Sequence, residues 1–221
     1  IIQSAVRIGK PVIGATEMLH TMIENSFPTK SEVNDIANAI LDGASALMMS
    51  GETAVGAHPY EACKLMREVA LETEAVLKGS TEPILMKDGN VSTAIAKCIE
   101  LTAKGLDISK VVAVTSSGFS ARKISVSRPK QPIIVVTDQL EKLRKFNLFW
   151  GVNSFLGKLE LKPTNSEISL GAIKELLVAG HINATDVILL TGVRYPNPKK
   201  NTTMNFVEIH AVKDLIDVFD W

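Results

Sequence analysis

The residues best suited to chemistry fall in three short stretches of the sequence. The apolar run Pro11-Val12-Ile13-Gly14-Ala15 stops at Thr16 and Glu17, and Ala46-Leu47-Met48-Met49 runs into Ser50-Gly51-Glu52-Thr53. Further on, Val111-Val112-Ala113-Val114 leads into Thr115-Ser116-Ser117-Gly118-Phe119-Ser120. A short apolar run reads as a strand covered on both faces of a parallel sheet, and ligands of α/β folds bind at the carboxyl ends of such strands. A threonine hydroxyl is a poor acid near neutral pH, so the chemistry open to Thr16 is the relay of a proton through ordered water. Its structural alternative is to cap the next turn. Gly51 permits close backbone approach, and Ser50 and Glu52 can order a loop or solvent around phosphate and metal. For Glu52 an ordinary helix cap is the competing reading. At Thr115 to Ser120 a strand end meets a helix start, so hydroxyls and backbone N–H groups converge with the helix dipole on the place an anion would occupy. The alternative there is a well-capped turn without a ligand.

These stretches need elements to position them. Pro28 to Gly43 reads as a helix with Thr29 as N-cap, acids in its first turn and a glycine stop. A second helix is predicted from Pro59 through Val76, with Ala62, Leu65, Met66, Val69 and Ala70 at helical spacing. Residues 77–89 have a linker composition, which divides the chain into residues 1–76 and 90–221. In the second part, helices near 90–103, 121–127, 140–146 and 166–179 alternate with strands near 111–114, 133–136, 152–155, 187–190 and 206–212. Such alternation implies a three-layer αβα domain on a mainly parallel five-stranded sheet, because each parallel pair needs a crossover. The last strand is expected to run antiparallel, since only a loop separates it from its predecessor.

Lys plus Arg and Asp plus Glu are 24 each, so no global field draws the chain to nucleic acid or to an acidic membrane. No run approaches a membrane span of about 20 apolar residues. The two cysteines, Cys63 and Cys98, fall in helical patterns and form no metal clip, which points to a reducing cytoplasm. His20, His58, His181 and His210 have no ligand spacing. Ile1 to Gly9 reads as the tail of an amphipathic helix, and Ile1 as an internal residue of a longer protein.

The first two stretches and the helix between them resemble the last two strand–helix units of the pyruvate kinase TIM barrel. The second half resembles the carboxyl-terminal regulatory domain of the same family, through Thr115 to Ala121, Ser127-Arg128-Pro129, Asn147 to Val152 and Leu190-Thr191-Gly192. The resemblance implies phosphoryl transfer from phosphoenolpyruvate to ADP, with Mg2+ and K+. It casts Thr16 as the residue beside the enolpyruvate carbon that helps deliver the proton, and Ser50, Gly51 and Glu52 as a loop on the nucleotide side of the cleft.

It also implies that the phosphate-contacting lysine, the Mg2+-binding acids and the K+ site lie on earlier barrel strands. The 221 residues alone are therefore expected to carry no metal site and to be inactive. In relatives, the loop matching Thr115, Ser116, Ser117, Gly118 and Ser120 holds the phosphate of an allosteric sugar phosphate or similar effector, and Arg194 would be its cationic partner. Lys199 and Lys200 either assist or form a solvated surface pair. A tetramer is implied as well. The alternative is a non-catalytic module that senses a phosphate metabolite or mediates oligomerisation. Departures from the family pattern are Glu17 in place of glutamine, Val55 in place of lysine and Phe119 in place of a polar or basic residue. The tail 213–221 extends past the usual end, with Leu215, Ile216, Val218, Phe219 and Trp221 available to clamp its own domain or a neighbour.

Overall fold

The computed structural model describes residues 1–15, 17–80, 91–158, 167–193 and 203–221. The chain divides into two compact units, Ile1–Glu82 and Pro83–Trp221. In the first, α1 (Ile2–Arg7) precedes strand β1 (Ile13–Gly14), a single 3-10 turn (His20–Ile23) and α2 (Lys30–Asp42). Strand β2 (Ala46–Leu47), the short α3 (Gly51–Ala54) and α4 (Pro59–Ser80) follow. β1 and β2 pair in parallel, Ile13 opposite Ala46 and Gly14 opposite Leu47, so both chains leave the sheet on the same side. Helix α2 forms where the sequence signals it. Thr29 accepts from the Glu32 N–H, Glu32 reaches back to the Thr29 N–H, and Gly43 closes the helix at φ 112°. Ile36 and Ile40 of α2 pack with Ala62 and Met66 of α4 and with Met18, Leu19 and Met22 from the β1–α2 connection. Helix α4 runs four residues past the predicted end at Val76, because Leu77 continues the buried stripe, so residues 77–80 of the expected linker are helical.

The second unit contains α5 (Val91–Gly105), β3 (Lys110–Val114), α6 (Phe119–Ser127), β4 (Ile133–Thr137) and α7 (Leu140–Phe146). It continues with β5 (Val152–Leu156), α8 (Glu167–Val178), β6 (Val187–Gly192), β7 (Phe206–Ala211) and α9 (Val212–Phe219). The sheet order is β5-β4-β3-β6-β7, parallel except for β7, which runs antiparallel to β6. Side chains alternate across a strand, and the core follows that alternation. Val111, Ala113, Ile133, Val135 and Leu189 meet α5, α6 and Phe146 of α7 on one face. Val112, Val114, Ile134, Val136, Ile188 and Leu190 meet α8 and α9 on the other. Covered on both faces, β3 and β4 read as unbroken apolar runs.

The tail belongs to this core. Val212 and Leu215 are buried, Ile216 and Trp221 pack against the α8 side of the sheet, and Lys174 lies 5.7 Å from the Trp221 ring. The terminal residues clamp their own domain.

At the amino ends of the strands, the Lys110 ammonium and the Asp186 carboxylate meet at 2.7 Å, and Asp186 also accepts from the Asn183 N–H. Burial works to raise the Asp186 carboxyl. The hydrogen bond from Lys110, the Asn183 N–H, the charge of Lys110 and the Ser109 hydroxyl outweigh it, so the group titrates below its usual value. A carboxyl depressed in the folded state stabilises fully above the ordinary aspartate range and loses that contribution as pH falls through the lowered value. In urea unfolding followed from pH 7 to pH 3, Asp186→Asn is expected to be less stable than wild type at neutral pH and to decline more shallowly with acid. Parallel pH profiles would show that the pair contributes no such linkage.

Candidate functional site

Strand ends on the same side of a parallel pair bring their following loops together, and in the first unit carboxylates hold those loops. Leu19 is fully buried, so its N–H must find an acceptor away from water. It donates to Glu52 Oε1 at 3.0 Å, while the Ser50 N–H donates to Glu52 Oε2 at 2.8 Å. Glu52 is itself only 2% exposed. Burial raises its pKa, but the Leu19, Glu52 and Ser50 N–H groups and the charge of nearby His20 bring it below the usual glutamate value.

Glu32, in the first turn of α2, does the same for the connection between β1 and α2. Its carboxylate accepts from the N–H groups of Thr21 and Thr29, each at 2.8 Å, and from both threonine hydroxyls. Against burial, those hydrogen bonds again lower the pKa. Gly51 serves close packing against protein: a Cβ there would stand 2.8 Å from Ile23 Cδ1. Glu17 adopts φ 54°, a left-handed conformation that costs a non-glycine residue about 1–2 kcal/mol. Thr16 lies outside the described residues. Ser50, Gly51 and Glu52 are brought to the β2 end, with Ser50 exposed and Glu52 turned inward.

The second site lies in the other unit. From central β3 the chain steps outward through β4 and β5, then returns to β6 on the other side of β3. The crevice of such a sheet opens at the carboxyl ends of the two strands where the direction reverses, here β3 and β6. Thr115 to Gly118 leave β3 at that point, and Gly192 ends β6 so close to it that a Cβ would stand 3.0 Å from the Val114 carbonyl. Buried threonines end three adjacent strands, and each hydroxyl bonds a backbone group. Thr115 accepts from the Gly118 N–H, Thr137 accepts from the Gln139 N–H, and Thr191 donates to the Phe206 carbonyl.

Helix α6 starts at Phe119, two residues before the predicted start, so Ser120 is its second residue. Two of the amides that would face an anion are satisfied within the loop, Gly118 by Thr115 Oγ1 at 3.1 Å and Phe119 by Ser117 Oγ at 3.3 Å. The first turn of a helix leaves further N–H groups without intrahelical acceptors, here those of Ser120 and Ala121. The Ser120 hydroxyl is buried without a hydrogen-bond partner. Arg194, Lys199 and Lys200 lie outside the described residues. Two supports escaped sequence reasoning: Lys142 of α7 donates to the Ser116 carbonyl at 3.2 Å, and the Phe146 ring lies directly beneath Gly118. No spacing rule links α7 to this loop, so only the fold could reveal them. Thr29 was expected as the N-cap of α2, but the capping box it forms with Glu32 and the reach of Glu32 to Thr21 came only with the structure.

Residues 1–63 match the family described as "Pyruvate kinase, barrel domain", and residues 93–210 the one described as "Pyruvate kinase, alpha/beta domain". The chain belongs to the pyruvate kinase family. It is 38% identical over 220 residues to pyruvate kinases of Sporosarcina psychrophila and Staphylococcus epidermidis, alignments that take in 98% of this chain and 37% of each relative. A crystal structure of a pyruvate kinase from Cryptosporidium parvum superposes with TM-score 0.78 at 31% identity, covering 95% of this chain and 41% of that one. The chain thus spans well under half the length of these relatives, and the family assignment agrees with its strand–helix order in both units.

Gly118 carries two constraints at once, a φ of 78° and a would-be Cβ 2.2 Å from Phe146 Cε1. Gly118→Ala is therefore expected to destabilise the chain by roughly 1–3 kcal/mol in urea unfolding. Gly105→Ala, where a Cβ meets nothing within 4 Å at the end of α5, serves as the control and should be neutral or stabilising. Equal effects at both positions would contradict the close packing of the loop on Phe146.

Proposed function

We propose that this chain is the carboxyl-terminal part of a pyruvate kinase, supplying the last two strand–helix units of the catalytic barrel and the α/β regulatory domain. The observation that carries the proposal is the consecutive match to both family domains, with the Ser50 to Glu52 loop at the carboxyl end of a parallel strand. The reaction is phosphoryl transfer from phosphoenolpyruvate to ADP, in the cytoplasm and within a homotetramer. Thr16 hands a proton through water to the enolpyruvate carbon, a role that suits a hydroxyl too weakly acidic to donate unaided. Glu17 adds a negative charge beside an anionic substrate.

The Mg2+ and K+ of the reaction are assigned to groups on other barrel strands. Among the described residues no group of three or more His, Cys, Asp or Glu side chains is placed to hold a metal ion. Phosphoryl transfer depends on such cations and fixed donors, so the 221 residues are expected to show no turnover by themselves. In the full-length protein, Thr16→Val is expected to lower kcat by about 100-fold with little change in KM. A change confined to KM would assign Thr16 to binding or capping instead.

The crevice of the second unit is proposed to take the phosphate of an allosteric sugar phosphate or nucleotide. Its donors would be the Ser120 and Ala121 N–H groups and the Ser120 hydroxyl, with Thr115, Ser117 and Lys142 holding the loop and Arg194 supplying charge. Inorganic phosphate titrated into the 221-residue chain at low salt is expected to shift the Ser120 and Ala121 amide resonances. Ser117→Asp, which sets a carboxylate at the exposed rim, is expected to abolish the shift by like-charge repulsion. If phosphate at millimolar concentration moves neither resonance, the loop is a self-capped turn.

A further inference from the structure

We propose that Glu52 is a positioning residue whose carboxylate locks the loop after β1 to the loop after β2, holding the left-handed backbone turn that follows Thr16. The inference deepens the pyruvate kinase reading and rests on it for the link to catalysis. It starts from the division of labour between the two oxygens. Oε1 takes the Leu19 N–H at 3.0 Å and Oε2 takes the Ser50 N–H at 2.8 Å, so one side chain bonds both connections across 33 and two residues of sequence. Only the ionised carboxylate presents acceptors on both oxygens, and its lowered pKa keeps it ionised at neutral pH.

What Glu52 holds is a conformation that the chain would not choose alone. Glu17 stands at φ 54°, and a residue in that region persists only where its surroundings over-determine it. Two residues on, the Leu19 side chain is fully buried among Met18, Met22 and Ile36, which fixes the far end of the loop by packing. That packing removes the Leu19 N–H from water and leaves it dependent on Glu52. The carboxylate therefore converts apolar burial at Leu19 into a defined backbone path from Glu17 to Leu19. On the other side, the same carboxylate fixes Ser50, whose side chain stays exposed at the strand end. A shift of about 1 Å in a reacting group can cost roughly 100-fold in rate, so a lock of this kind acts on kcat.

Glu52→Gln tests it with two readouts. The amide NH2 cannot accept, so one of the two N–H groups faces a donor. In hydrogen exchange on the 221-residue chain, protection is expected to fall by about tenfold or more at Leu19 or Ser50 while α2 and α4 stay protected. In the full-length protein the same substitution is expected to lower kcat by about 10- to 100-fold with KM for phosphoenolpyruvate within about threefold. Glu52→Asp keeps the charge and both acceptors on a shorter arm, and is expected to recover part of both losses. Unchanged exchange at Leu19 and Ser50 in the Gln variant overturns the lock. A folded Gln or Asp variant with exposed amides but wild-type kcat overturns its role in positioning. Absence of pyruvate kinase turnover in the wild-type full-length protein would instead remove the functional reading, with the exchange result still deciding whether the lock exists.

Discussion

A buried backbone N–H must find an acceptor, and in the first unit that acceptor is repeatedly a carboxylate. Glu52 and Glu32 sit in the interior at 2% and 8% exposure, and the hydrogen bonds they accept come from N–H and hydroxyl groups. Neither forms an ion pair among the described residues. Their charge is stabilised by oriented N–H dipoles, which outweigh the penalty of burial and hold both groups below the usual glutamate value. The segment from Glu17 to Thr29, with only one 3-10 turn of its own, is thereby fastened at Leu19, Thr21 and Thr29. Since β1 and β2 are each two residues long, these bonds rather than the sheet define the strand-end loops.

The second unit solves a related problem with hydroxyls. Buried threonines close the turns after β3 and β4, another ties the end of β6 to the start of β7, and the loop after β3 satisfies two of its own amides. A loop that is self-capped in this way keeps its shape without a ligand, supported from below by Phe146 and from the side by Lys142. The donors left over are fewer than the sequence suggested, and they lie deeper, in the first turn of α6. Any anion there competes with no internal bond at Ser120, whose hydroxyl is buried without a partner.

Much of the fold was legible because it follows from local rules. The apolar runs 111–114 and 133–136 became central strands, Thr29 and Gly43 capped α2, and α7 fell on residues 140–146 as expected. The antiparallel β7 followed from connection length. Helix α4 overran its predicted end because Leu77 buries an apolar face that composition alone treats as the start of a linker. At the candidate sites, residue types singled out the loops but not the partners that hold them. Nothing in the spacing of Leu19, Ser50 and Glu52 announces a shared carboxylate, because the contact depends on a parallel pairing set by residues 13–14 and 46–47. The same holds for Phe146 under Gly118. The tail was ambiguous for a similar reason: its apolar stripe was plain, but what it covers, the α8 side of the sheet, is set by the fold.

The most direct test of this account is the titration of Glu32 and Glu52 themselves, followed through carboxyl carbon resonances in the 221-residue chain. Each group depressed in the folded state contributes stability above the ordinary glutamate range, a contribution lost as pH falls through its lowered pKa. Both resonances are predicted to titrate below that range, and protonation of Glu52 to coincide with faster exchange of the Leu19 and Ser50 amides. Titration of either carboxyl at or above the ordinary value would mean that burial outweighs the N–H donors, and would contradict the claim that ionised carboxylates hold these loops.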